Sequence, residues 1–131
     1  MRRLKGIMKL HHINIKAPEA LLEREREFFC DVLDLREGER PNFSSRGYWL
    51  YAGDNAIVHL TESEAHYKNE QQGFFDHVAF QTSNLKRLIQ ILQDRGIDYS
   101  TVYLPEIEMT QVFLKSPLEI GIEINCENEK I

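Results

Sequence analysis

An internal repeat limits the folds available to this chain more than any other feature of its sequence. Residues 12–17 match residues 77–82 at a separation of 65, and residues 57–60 match residues 121–124 at a separation of 64. Because two independent matches agree to within one residue, they indicate two copies of one structural unit.

Hydrophobic periodicity predicts the same series of elements in both copies. One amphipathic helix is predicted after Pro18, and a second begins at Ser83 or Asn84 and ends at Gly96. Alternating residues predict strands at 10–15, 35–39, 48–51, 57–61, 77–81, 97–103, 112–114 and 120–125. Each copy therefore has the order strand, helix, strand, strand, strand.

This order predicts an α+β fold in which two tandem βαβββ modules pair into a cup-shaped mixed sheet, with the helices on its outer face. The chain of 131 residues is long enough for one domain, residues 1–131, but not for two independent ones. Module 1 is expected at about 9–62 and module 2 at about 75–126. The polar stretch between them, about 63–74, is the expected linker.

Composition narrows the possible partners and compartments. The net charge is −5 and the basic residues are scattered, so nucleic acid is not an expected partner. No apolar run is long enough to cross a membrane, and the interrupted N-terminus does not resemble a signal peptide. Cys30 and Cys126 lie far apart with no CxxC motif, which favours a reducing, cytoplasmic location.

Strand alternation places four potential metal ligands on one face. If the isoleucines and valines of these strands meet the helices, the opposite face carries His12, His59, His77 and Glu123. His12 and His77 occupy equivalent positions in the repeat, as do His59 and Glu123, so a pseudo-twofold axis would bring all four together. Imidazoles with a carboxylate suit a divalent transition metal, and we expect Zn, Ni, Co, Fe or Mn.

Two further histidines are left without a role. His11 is expected on the helix-facing side of its strand, and His66 lies in the linker.

The ligand strands also carry a family resemblance. Leu10-His-His-Ile-Asn-Ile-Lys16, Ile57-Val-His-Leu-Thr61, Asp76-His-Val-Ala-Phe80 and Gly121-Ile-Glu-Ile-Asn125 resemble the four ligand strands of the vicinal-oxygen-chelate superfamily, which includes glyoxalases, bleomycin-resistance proteins and extradiol dioxygenases. The resemblance covers nearly the whole chain. It implies a metal that chelates two neighbouring oxygens of a small-molecule substrate.

The resemblance makes His12, His77 and Glu123 the most secure ligands, whereas His59 stands where glyoxalase I enzymes have a carboxylate. Two mechanisms follow. In a lyase or isomerase, His59 or Glu123 is the catalytic group that moves a proton through an enediolate. In an Fe(II) extradiol-type dioxygenase acting on a catechol-like diol, His59 is an acid or base beside the metal. A metal-free, drug-binding cup of the bleomycin-resistance type is the third possibility.

Several polar side chains are expected to contact the substrate, because polar groups that line a cup orient the ligand. They are Asn14, Arg46, Tyr48, Tyr51, Gln81 and Gln111. The segment 40–46 is either a loop over the cup mouth or a plain connection. The resemblance also implies a homodimer, in which the modules pair either within one chain or across two.

Overall fold

The computed structural model of this protein describes residues 6–65 and 73–131. Eight strands and two helices follow one another along these residues. The first module comprises β1 (Ile13–Ala17), α1 (Glu19–Asp31), β2 (Arg36–Gly38), β3 (Gly47–Ala52) and β4 (Asn55–Glu62). The second comprises β5 (Val78–Thr82), α2 (Leu85–Asp94), β6 (Ser100–Leu104), β7 (Met109–Lys115) and β8 (Gly121–Glu127). The predicted order of elements is therefore confirmed.

The two modules have the same topology. Their strand orders are β1-β4-β3-β2 and β5-β8-β7-β6, with one parallel pair, β1 with β4 and β5 with β8, in each sheet. The register places Asn14 opposite His59 and Ala79 opposite Glu123, which reproduces the sequence separations of 65 and 64. Within the described residues the two sheets remain separate four-stranded sheets, and no strand ladder joins them.

Both helices begin at the predicted signals, and the second also ends at its predicted glycine. α1 starts directly after Pro18, whose fixed φ suits the first turn, and it buries Leu22 and Phe29. The side chain of Asn84 caps α2 by accepting a hydrogen bond from the backbone N–H of Arg87 at 3.3 Å. Gly96 follows α2 in the left-handed conformation that ends many helices. Neither helix is long and apolar enough to cross a membrane, among the residues described.

The core lies between each sheet and its helix, as the alternation predicts. Leu50, Val58 and Leu60 are fully buried in strands that contact the first helix. Ile122 and Ile124 are buried in the same hydrophobic core, which also contains the apolar residues of the second helix. The opposite face of each sheet, called here the open face, carries the polar residues of the same strands.

One buried carboxylate connects the two modules. Glu25 on α1 has no exposed surface, and its Oε1 accepts a hydrogen bond of 2.7 Å from the backbone N–H of Leu118, in the turn between β7 and β8. Its Oε2 is buried with no hydrogen-bond partner. Burial raises the pKa of Glu25, and the hydrogen bond from Leu118 only partly opposes this effect.

The raised pKa of Glu25 predicts that the protein loses stability as the pH rises. A carboxyl group whose folded pKa lies above its unfolded value stabilises the fold fully at low pH, and this contribution disappears as the pH passes through the folded pKa. We expect the free energy of unfolding in urea to fall as the pH rises above about 4.5, near the ordinary value for Glu.

Glu25→Gln should remove most of this dependence and raise stability at about pH 8 by roughly 1–2 kcal/mol, because no charge is then buried. Glu27→Gln, at an exposed position of the same helix, is the matched control and should leave the pH profile unchanged. A Glu25→Gln profile parallel to that of the wild type would contradict the assignment.

Candidate metal centre

The open face of module 1 holds a pair of histidines. The rings of His12 and His59 stack with centroids 3.8 Å apart and planes 12° apart. Beside them, Asn14 donates a hydrogen bond to Thr61 at 3.1 Å, so the polar residues of β1 and β4 share this face. We call His12 and His59 the dihistidine pair.

In each ring of the dihistidine pair, one nitrogen already lies within hydrogen-bond distance of another polar atom of the protein. His59 Nε2 lies 3.1 Å from the carbonyl oxygen of Ala56, and His12 Nδ1 lies 2.9 Å from Nδ1 of His11. A histidine that binds a metal commonly uses its other nitrogen in such a hydrogen bond. The arrangement therefore leaves Nδ1 of His59 and Nε2 of His12 as the nitrogens for a ligand.

His59 is held tightly in its sheet. Only 6% of its surface is exposed, and the indole of Trp49 stacks on it with centroids 4.1 Å apart. Burial lowers the pKa of His59, and the neighbouring His12 lowers it further. Near neutral pH, His59 is therefore an uncharged imidazole that can accept a proton or bind a metal.

The open face of module 2 holds a histidine and a carboxylate. His77 Nε2 lies 3.0 Å from Oε1 of Glu123, and His77 Nδ1 lies 2.8 Å from Oδ2 of Asp76. Gln111 donates a hydrogen bond of 3.0 Å to the other oxygen of Glu123. Both members of this pair, called here the His–Glu pair, are thus oriented by a second contact.

The charges around His77 favour its protonated form. The hydrogen bond to Asp76 is the main cause of a raised pKa of His77, and the carboxylate of Glu123 adds to it. His77 therefore lies between two carboxylates, which stabilise its imidazolium form.

The two pairs do not come together within one chain. Among the residues described, no three His, Cys, Asp or Glu side chains are close enough to hold one metal ion. His12 and His59 lie together on the open face of module 1, and His77 and Glu123 lie together on that of module 2. The meeting of all four at one site stays a prediction.

The chemistry of both pairs nevertheless fits a divalent transition metal. A neutral imidazole pair and a carboxylate–imidazole pair supply the nitrogen and oxygen ligands that such ions prefer. The Asp76–His77 contact is the carboxylate–histidine arrangement that supports many metal-binding histidines.

The predicted substrate contacts divide into three groups. Asn14, Gln81 and Gln111 lie on the open faces, where Gln81 is exposed and Gln111 contacts Glu123. Tyr51 also lies beside an open face, but its hydroxyl donates a hydrogen bond to the carbonyl oxygen of Glu39 at 2.6 Å. Arg46 forms ion pairs with Glu19 at 3.4 Å and Glu62 at 3.5 Å.

Tyr48 and His11 lie elsewhere than expected. Tyr48 pairs with the core residue Leu60 on the helix side of the sheet, and its hydroxyl donates a hydrogen bond to Glu23 of α1. His11 precedes β1 instead of facing the helix, and it is exposed beside His12. His66 lies outside the described residues.

The segment 40–46 lies over the open face of module 1. The ring of Phe43 sits 6.1 Å from that of Trp49, and the guanidinium of Arg40 sits 4.7 Å above the ring of Phe43. The sequence patterns predict no role for Arg40 or for Asp76. The position of Asp76 directly before His77 was the available signal for it.

Comparison with known proteins gives matches in structure but none in sequence. No family model and no curated protein matches the chain. A glyoxalase/dioxygenase from Nostoc punctiforme is 16% identical with a TM-score of 0.75, and the match covers 97% of this chain and 100% of that one. A glyoxylase/bleomycin resistance protein/dioxygenase domain from Frankia sp. EAN1pec is also 16% identical, with a TM-score of 0.75 and coverage of 96% of each chain.

A third similar structure contains a metal. It is a variant of the fosfomycin resistance protein FosX from Listeria monocytogenes, complexed with Mn(II) and 1S,2S-dihydroxypropylphosphonic acid. It is 13% identical with a TM-score of 0.69, and the match covers 93% of this chain and 94% of that one. At such identities a likeness establishes the fold and not the reaction, and this chain has the fold of these glyoxalase/dioxygenase and fosfomycin-resistance structures, as its resemblance to the vicinal-oxygen-chelate superfamily implies.

Proposed function

We propose that the protein is a homodimeric, divalent-metal-dependent enzyme that acts on a small molecule through two neighbouring oxygens. The reaction is a proton transfer of the lyase or isomerase type through an enediolate. One observation carries this proposal. Each module holds two potential ligands in contact, His12 with His59 and His77 with Glu123, and the two pairs occupy equivalent positions.

The dimer follows from the separation of these pairs. Neither pair alone supplies the three or four protein ligands of a typical catalytic site. Since no group of three forms within the described part of one chain, the dihistidine pair of one subunit is completed by the His–Glu pair of its partner. A twofold dimer would then contain two equivalent sites.

The charges of the proposed site suit an oxygen-chelating substrate. His12, His77 and Glu123 would hold a divalent ion through two neutral imidazoles and one carboxylate, which leaves it a net positive charge that would polarise a carbonyl and stabilise negative charge on two adjacent oxygens. His77 has to give up its Nε2 proton when the site is loaded, so metal binding releases protons.

The residues of the chain supply the proton transfer. Neutral His59, which in this arrangement does not bind the ion, accepts a proton from the hydroxyl-bearing carbon next to the carbonyl and returns it to the carbonyl carbon. The hydroxyl proton passes to the former carbonyl oxygen, which completes an isomerisation without an external reductant or oxidant. Its stacking between His12 and Trp49 limits ring rotation and keeps Nδ1 directed to one position. Glu123 is the second candidate for this role, because Gln111 already holds one of its oxygens.

Mixed dimers test the metal site and its location together. We expect about one metal equivalent per chain in wild type purified without chelators, and almost none in His12→Ala or His77→Ala homodimers. A heterodimer of these two variants contains one intact site if ligands come from two chains. It should therefore recover about half of the wild-type metal content.

Elemental analysis of dimers purified through two different affinity tags measures this content. Glu127→Ala, at an exposed position of β8, is the control and should bind like wild type. A heterodimer without metal would place the ligands within single chains. If the wild-type protein takes up none of the five ions, the enzyme proposal is wrong and a metal-free binding cup is favoured.

Asp76 offers a second test of the site. Asp76→Asn removes the carboxylate that orients His77, and we expect the metal affinity to fall about 10- to 100-fold with little change in thermal stability. Asp54→Asn, an exposed substitution of the same kind in the β3–β4 turn, is the control. Competition with a chromogenic chelator measures both affinities, and equal values would show that Asp76 plays no part.

A further inference from the structure

Arg40 differs from Arg26 and Arg46 of its module in how its charge is compensated. Arg26 forms ion pairs with Glu23 and Glu37, and Arg46 forms them with Glu19 and Glu62. Arg40 is half-buried, yet among the described residues no carboxylate lies within ion-pair distance of it. A charge taken partly out of water without a counterion is costly.

The hydrogen bonds of Arg40 do not replace a counterion. Its Nη1 donates to the carbonyl oxygen of Ser45 at 2.9 Å, and its Nη2 lies 3.4 Å from the hydroxyl of the same residue. Both acceptors are neutral. The Nε atom is buried with no hydrogen-bond partner. The guanidinium therefore lacks a counterion and has one N–H donor without an acceptor.

Three contacts place this guanidinium on the open face of module 1. It sits over Phe43, whose ring contacts Trp49, and Trp49 in turn stacks on His59. Gly47 leaves room for it, since a Cβ at that position would lie 3.1 Å from Arg40 Nη2. The positive charge of Arg40 is also one of the groups that lower the pKa of His59.

We propose that Arg40 recognises an anionic group of the substrate. The inference rests on the proposed function and adds a substrate class to it: a small molecule with two neighbouring oxygens for the metal and a separate carboxylate or phosphonate for Arg40. A guanidinium matches both kinds of oxyanion through paired N–H donors.

The module 2 face offers a complementary acceptor. Oδ1 of Asn125 is buried without a hydrogen-bond partner, and Asn125 lies two residues from Glu123 on the same face of β8. In the proposed dimer both faces line one cavity. A hydroxyl or N–H group of the same substrate would satisfy this oxygen.

Two catechols of similar size test the role of Arg40. Both 3,4-dihydroxybenzoate and 4-methylcatechol present two neighbouring oxygens, but only the first carries a separate carboxylate. Binding is measured by calorimetry on zinc-loaded dimer under nitrogen, where zinc cannot oxidise the probes. A third titration, with 3,4-dihydroxyphenylphosphonate, shows whether the site prefers a carboxylate or a phosphonate.

Arg40→Gln should weaken binding of the acidic probes about 10- to 100-fold, the range for a hydrogen bond to a charged group, and leave 4-methylcatechol within about twofold. Arg40→Lys should restore part of the loss. Arg36→Gln is the matched control, because Arg36 also stacks on an aromatic ring and binds a backbone carbonyl but is exposed. It should leave all three affinities unchanged.

The metal content of each sample separates failure of this inference from failure of the proposed function. If the wild type and Arg40→Gln proteins both hold zinc and bind the acidic probes equally, the role of Arg40 is wrong while the metal site stands. If the wild type holds no zinc, the same probes are titrated into the metal-free protein. A preference for acids that Arg40→Gln abolishes then supports the anion site, and equal binding of all probes overturns it.

Discussion

The parallel pairing of the first and last strands of each module is the constraint on which the rest of the structure depends. It places β1 beside β4 and β5 beside β8, although each pair is far apart in sequence. Side chains of paired residues in neighbouring strands point the same way. A helix covers one face of each pair, so the polar residues of both strands gather on the other. The dihistidine pair and the His–Glu pair are direct results of this register.

Much of this fold can be predicted from the sequence. The hydrophobic periods of strands and helices depend only on nearby residues, and the separation of the two repeats can be counted along the chain. The separations of 65 and 64 residues are found again in the strand register. The role of Asn84 as a helix cap follows from its residue type. The approximate face of each potential ligand follows from alternation alone. None of these inferences requires knowledge of how the modules meet.

The remaining features depend on contacts between segments that are far apart in the sequence. Neither hydrophobic periodicity nor the secondary-structure propensity of single residues predicts such contacts. Tyr48 is a polar residue on a strand of the predicted cup, which predicts a substrate contact, but the register of β3 turns it towards α1. The sequence 40–46 does not reveal that Phe43 folds back onto Trp49 or that Arg40 lacks a counterion. Glu25 follows the polar pattern of α1, yet the β7–β8 turn of the second module buries it completely. Each difference arises where tertiary packing decides the surroundings of a side chain.

The stacked rings of module 1 also give the protein an intrinsic optical reporter. Trp49 is the only tryptophan in the sequence, and its indole lies face to face with the imidazole of His59. Indole emission responds to charge and to collisional contact at its face, so any event that moves or charges His59 is transmitted directly to the fluorescence. No other indole contributes a background signal. Occupation of the open face can therefore be followed in real time, in unlabelled protein and at low concentration.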